Sequence, residues 1–143
     1  FTLIELLVVI SIIGVLTALL LSNFVGIRSR AKDAKLKGDL EQLKTAMRLY
    51  YNDFQMYPAT VSDNFVSCGG AACSEGEEFN SAAGETIYMK QLPAYDRYAQ
   101  TSGGDGFVVG VTLNNASDAD ITNSKSECGQ SAVADPIFFV CAD

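Results

Sequence analysis

A single carboxylate, Glu5, stands at the head of the apolar run LLVVISIIGVLTALLL at 6–21, and it is the only charged side chain in residues 1–27. An ionised carboxylate is costly in lipid or among packed apolar helices unless something compensates it. Two partners answer that need. One is the positive N-terminal end of the helix itself. The other is the α-ammonium of Phe1, in the same chain or in a neighbouring one, with which Glu5 would form a charge pair. The chain begins with Phe rather than Met, which reads as a processed chain or a fragment.

Other residues offer chemistry farther along. Cys68, Cys73, Cys128 and Cys141 have the spacings C-x4-C and C-x12-C. These could describe a zinc site, but the chain has no His, and an even cysteine count in a Gly- and Ser-rich acidic region reads as disulfides in an oxidising compartment. Three connectivities are possible, and proximity favours Cys68–Cys73 with Cys128–Cys141. Asp118 and Asp120, in the stretch NNASDADIT, could join backbone carbonyls as hard oxygen ligands for calcium. The competing reading is a solvated acidic loop. Asn115 opens the sequon N-A-S, a weak glycosylation signal. Residues 28–48 hold seven basic side chains against three acidic ones, enough to contact nucleic-acid phosphates. No aromatic residues alternate with them for stacking, so a solvated helix face, or pairing with acidic patches of neighbouring subunits, is the better reading. Without His, and with no nucleophile singled out by its spacing, no catalytic constellation is present and no enzyme is expected.

The elements that must position these residues follow from patterning. Residues 1–27 are long and apolar enough for a membrane-spanning helix, which needs about 20 residues. A signal peptide fits poorly, since a basic leading region and an A-x-A-like site are both missing. A packed core helix is rarely so apolar on every side. From Phe24 to Phe54 there is no Pro, and Leu36, Leu40, Leu43, Met47, Tyr50 and Phe54 recur at alternating spacings of four and three. This predicts an amphipathic continuation over 28–58, giving one helix roughly 80 Å long. Tyr57-Pro58 ends it. Residues 59–84 read as a loop. Strands are predicted at 85–92, on either side of the SGGDG turn (RYAQT and GFVVGVTLN), and at 136–140. Alternation of Phe107, Val109, Val111 and Leu113 predicts one buried face. The fold class is therefore α+β: a long N-terminal helix, half suited to a membrane and half packed on a small antiparallel sheet. The residues 59–143 make a disulfide-bearing globular head.

With FTLIE at its start and an apolar helix behind it, the chain resembles the N-terminus of a mature type IV pilin or a related type II secretion pseudopilin. Phe1, Thr2, Leu3 and Glu5 match that motif, and Tyr51, Asp53, Tyr57 and Pro58 match the end of the family helix. The resemblance covers residues 1 to about 58 and is architectural beyond. It implies a leader cut off just before Phe1 by a prepilin peptidase, and methylation of the new amine. It also implies a subunit held in the inner membrane, then assembled by pilus machinery into an extracellular helical homo-oligomer. Phe1, Glu5, Gly14, Ala18 and Ser22 would serve assembly. With Gly26, the small residues recur every four positions, which permits close helix approach. Related major pseudopilins bind calcium in a C-terminal loop, the place of Asp118 and Asp120. The chain departs from many pilins at Ser22, where they carry Pro, so no ladder hydrogen bond is forced open there. The basic stretch after the apolar segment would place the head in the cytoplasm. The cysteines place it outside, and a removed basic leader reconciles the two. The expected function is a pilus subunit serving adhesion, twitching motility or DNA uptake. The alternatives are a major pseudopilin of a secretion or competence system and, more distantly, an anchored extracellular binding module that never polymerises.

Overall fold

The described residues of the computed structural model are 1–81 and 83–143, with backbone alone for Ser22, Asn23 and Val25. The chain is α+β. One helix, α1 (Leu3–Phe54), runs 52 residues without a break, through Gly14 and Ser22 alike. At 1.5 Å per residue it is about 78 Å long. Its hydroxyl-bearing residues inside the apolar half do not interrupt it. Ser11 Oγ and Thr17 Oγ1 each donate to the carbonyl four residues back, at 2.7 Å, so their polarity is satisfied within the helix.

The second half of α1 is gripped by the head. Leu40, Leu43 and Met47 are fully buried and Ala46 nearly so, while Leu36 and Tyr50 are half-buried at the margin. The 4-and-3 stripe thus faces the core as its spacing predicts, except that Phe54 is largely exposed, with its ring 4.5 Å from that of Tyr50. Gln55 in a left-handed conformation caps the helix, donating its N–H to the Tyr51 carbonyl. The residues that end α1 also tie it to the head. Tyr51 and Tyr88 donate their hydroxyls to Asp105 and Asp53 respectively. The Tyr57 N–H donates to the Gly104 carbonyl, and the buried Tyr98 hydroxyl donates to the Pro58 carbonyl at 2.8 Å.

Among the described residues eight strands follow, all paired antiparallel. Strands β1 (Thr60–Val61), β2 (Asn64–Cys68) and β3 (Ala71–Ala72) form one small sheet, and β4 (Phe79–Asn80) with β5 (Ile87–Met89) a second. The main sheet is β6 (Arg97–Thr101), β7 (Gly106–Thr112) and β8 (Ile137–Cys141), in that order. The turn between β6 and β7 holds Ser102, Gly103 and Gly104 at positive φ, and at Gly104 a Cβ would also press on Met56. Gly110 is needed for a different reason. A Cβ there would lie 2.7 Å from Ile137 Cγ2 and from the Phe139 ring, so its absence lets β8 seat on β7.

Three expectations are corrected. Residues 59–84 are not a featureless loop. Phe65, Cys73 and Phe79 in that span are fully buried, and Phe65 and Phe79 sit edge to face at 5.2 Å in an aromatic cluster that also takes in Tyr95 and Tyr98. Their strands are too short, and separated by too many Gly and Ser residues, to show a period. Strand β7 is buried on both faces. Phe107, Val109 and Val111 face the main core, but Val108 joins Ile137 and Phe139 in a second cluster with Cys128 and Val133. The third correction lies beside β8, where Ile121 joins the main core. Residues read as a loop form a helix, α2 (Ala119–Glu127), which packs against β8 through buried Ile121 and Ser124. The Ser124 hydroxyl accepts from the Phe139 N–H.

A buried carboxylate locks α1 to the segment after β7. Asp33 accepts three hydrogen bonds at 2.8 Å, from the Asn114 N–H, the Asn114 amide and the Asn115 N–H. Burial by itself pushes this carboxyl up. The hydrogen bonds from Asn114 and Asn115 and the nearby charge of Lys37 outweigh burial and hold it below its ordinary value of 3.8. The unfolded chain therefore takes up this proton first as pH falls. The contribution of Asp33 is complete above its ordinary value and is lost as pH drops through the folded one.

Two measurements check this packing. Leu43→Ala should lower the stability of the detergent-solubilised chain by about 2–5 kcal/mol in thermal or denaturant unfolding, while Leu16→Ala should leave the head transition in place. Asp33→Ala should destabilise the head by about 1–3 kcal/mol at neutral pH, since it orphans three donors. It should also flatten the fall in stability below about pH 4.

Candidate assembly surface

The apolar half of α1 leaves the head with its described side chains exposed. Leu3–Leu21 has a mean hydropathy of 2.8 and no buried residue, and Phe24 and Ile27 extend the exposed apolar surface toward the head. Leu, Ile and Val point outward on all sides, which water does not tolerate over such a length. A lipid bilayer or the same segment of other copies would solvate it.

At its tip the start of the helix is built by Thr2 and Glu5. Thr2 Oγ1 accepts from the Glu5 N–H, and Glu5 Oε2 accepts from the Thr2 N–H at 2.8 Å and the Thr2 hydroxyl at 2.9 Å. This reciprocal capping box satisfies two of the donors a helix start leaves open. It also gives the carboxylate two donors from within the chain. Among the described residues no ion pair joins Phe1 to Glu5, and Phe1 is fully exposed. The T-x-x-E spacing that announces such a box was present in FTLIE.

Gly14, Ala18 and Gly26 lie on the exposed part of α1, and a Cβ added at Gly14 or Gly26 would meet only open space. At a spacing of four they drift slowly around one side of the helix. The side chain of Ser22, the fourth member of that series, lies outside the described residues.

In the head, Cys68 is bonded to Cys73 and Cys128 to Cys141. The first pair staples β2 to the segment after β3. The second ties the end of α2 to β8, beside the second apolar cluster. Asp118 and Asp120 are not in a free acidic loop. Asp118 is the N-cap of α2 and Asp120 lies in its first turn, and each carboxylate accepts from Lys37 Nζ at 2.6 Å. The hydrogen bond from Lys37 is the leading cause that holds the Asp118 carboxyl below its ordinary value. Burial alone would lower the Lys37 ammonium, but the two carboxylates more than offset it and raise the group. Among the described residues no group of three or more His, Cys, Asp or Glu is placed to hold a metal ion. Asn115 is half-buried, with its N–H on Asp33 and its side-chain oxygen accepting from the Ser117 N–H.

Asp33, Lys37, Asn114 and helix α2 went unremarked in the sequence, although signals for them existed. Asp33 and Lys37 are four apart, on one side of α1. Asp118 is a good N-cap, Asp120 an acid in the first turn, Lys125 a base in the last, and Gly129 follows at positive φ.

Comparison with known proteins points one way. The chain is 33% identical over 89 residues to the type IV major pilin protein PilA of Myxococcus xanthus, covering 59% of this chain and 38% of that protein. It is 42% identical over 93 residues to the type II secretion system core protein G of Klebsiella pneumoniae, covering 65% and 64%. It is 34% identical over 95 residues to the protein of the same name from Aeromonas hydrophila, covering 65% and 63%. The chain thus spans less than two thirds of the length of these curated relatives. No family model matches the chain, and no solved structure does. With the capped apolar helix, its amphipathic continuation and the small antiparallel head in view, the chain is similar in sequence to type IV pilins and type II secretion pseudopilins, and its α+β layout fits that likeness.

Proposed function

We propose that this chain is a structural subunit, not an enzyme, that polymerises through α1 into an extracellular type IV pilus filament serving adhesion, twitching motility or DNA uptake. The observation that carries the reading is the wholly exposed apolar half of α1, tipped by a carboxylate already held in a capping box. The unassembled subunit sits in the inner membrane, with lipid around Leu3–Leu21 and the head outside. There Thr2 supplies the donors that make Glu5 tolerable. On assembly the apolar halves pack on one another, Gly14, Ala18 and Ser22 allow close approach, and the free amine of a neighbour's Phe1 meets Glu5. A wrong axial register would leave that charge unpaired among apolar side chains, so the pair selects register as well as adding attraction. A prepilin peptidase would create that amine by cutting before Phe1, and methylation of it would follow.

The second reading is a major pseudopilin of a type II secretion or competence system, and the similarity to two core G proteins favours it. Both readings use α1 in the same way and differ in the length of the filament. Direct nucleic-acid binding has less support, because Lys37, Lys44 and Arg48 are engaged by Asp118, Asp120 and Asp143 within the head. Calcium at Asp118 and Asp120 would have to displace Lys37 from both carboxylates.

In cells carrying the assembly machinery, material released by shearing should contain long filaments of this chain by electron microscopy. Glu5→Ala should leave the chain in the membrane fraction and remove the filaments. Abundant filaments from the variant would contradict the role given to Glu5, and only short filaments from the wild type would favour the pseudopilin.

A further inference from the structure

The positive charges of α1 divide into two groups by what they touch. Lys37, Lys44 and Arg48 reach carboxylates of the head. Arg28, Arg30, Lys32 and Lys35 are all exposed. Among the described residues the ion pair and ring contact of this second group stay on their own helix. Lys35 Nζ lies 3.8 Å from Asp39, and the Arg28 guanidinium sits 5.5 Å over the Phe24 ring. Asp33, the only acid between positions 28 and 38, faces the head and is hydrogen-bonded to Asn114 and Asn115. The exposed charge of this short stretch is therefore uniformly positive.

Helix length fixes where that charge lies. From Leu3 to Ile27 the helix covers about 37 Å, somewhat more than the ~30 Å hydrocarbon layer of a bilayer. With the apolar half inserted, residues from Arg28 onward emerge among the headgroups. Arg28, Lys32 and Lys35, spaced by four and three, fall on one side of the helix, and Arg30 on the other. The head beyond carries thirteen acids against three bases in 49–143, so an anionic surface repels it. We infer that Arg28, Arg30, Lys32 and Lys35 form a collar that binds the phosphates of anionic phospholipids around the unassembled subunit, holding the helix at a fixed depth while the acidic head stands off. This rests on the membrane-anchored reading of the unassembled subunit. Arg forks and Lys ammonium groups at headgroup level suit a phosphate diester with no compensating cation, and they have less to gain from a zwitterionic lipid.

The test uses the full chain, reconstituted at low density into phosphatidylcholine vesicles that carry a trace of spin-labelled phosphatidylglycerol or spin-labelled phosphatidylcholine. Electron spin resonance reads the fraction of each label held at the protein. The wild type should hold the phosphatidylglycerol label about fivefold more strongly at low salt. That preference should shrink toward one at about 0.5 M salt. It should also approach one in the variant combining Arg28→Gln, Arg30→Gln, Lys32→Gln and Lys35→Gln, whose changes lie outside the core. Equal association of both labels with the wild type overturns the proposal. So does a variant that keeps the lipid preference but no longer forms filaments, which would make the acidic head of a second copy the collar's partner. A wild-type chain that fails to float with the vesicles would overturn the membrane reading, and the collar with it.

Discussion

A helix that is apolar on every side must be solvated by something other than water, and everything else in this molecule is arranged around that requirement. The first half of α1 presents Leu, Ile and Val in all directions over Leu3–Leu21. Its internal polar groups are silenced locally: Ser11 and Thr17 bond back to helix carbonyls, and Glu5 is held by Thr2. Such a surface suits either lipid or other helices of its own kind. The capping box matters here because it lets a carboxylate enter either environment with two hydrogen bonds already made.

The second half of the same helix meets the opposite demand. It needs one fixed partner, so that whatever happens to the apolar half is transmitted to the head. Burial of Leu40, Leu43 and Met47 supplies the non-directional part of that attachment. Asp33 on Asn114 and Asn115, Lys37 on Asp118 and Asp120, and Lys44 with Arg48 on Asp143 supply its direction. These contacts run along α1 from 33 to 48 and reach α2, the segment after β7 and the residues after β8. They specify rotation and axial position of the helix against the sheet, which apolar contacts alone leave loose. The two disulfides act farther out. One ties the segment after β3 to β2 and the other ties the end of α2 to β8, where the core is thin.

How much of this was legible depended on whether the signal was local. The helix and the β6–β7 hairpin are written in periods of 3.6 and 2, and both appear, α1 ending at Phe54 rather than at 58. The residues between β1 and β4 were illegible because two- to five-residue strands among Gly and Ser show no period. Phe65 and Phe79 find their partners only in three dimensions. Helix α2 is polar and nine residues long, so its caps were the only signal it offered. The second buried face of β7 rests on Ile137 and Phe139 of β8 and on Cys128 and Val133, which show no period of their own. Asp33 looked like one acid in a basic run, and its burial depends on amide donors some eighty residues away. The N-terminal motif was the reverse case. FTLIE announces its capping box in five residues, because such a box uses only neighbours along the chain.

On the proposed function, the apolar half of α1 exchanges lipid for copies of itself. Helical reconstruction of the assembled filament by electron cryomicroscopy tests it most directly. The expected map has a core made of residues 1–27 from many copies, with each Glu5 carboxylate in hydrogen-bonding reach of a neighbour's Phe1 amine. A filament held together by its heads, with this half of α1 outside the core or Glu5 facing no cation, would contradict it.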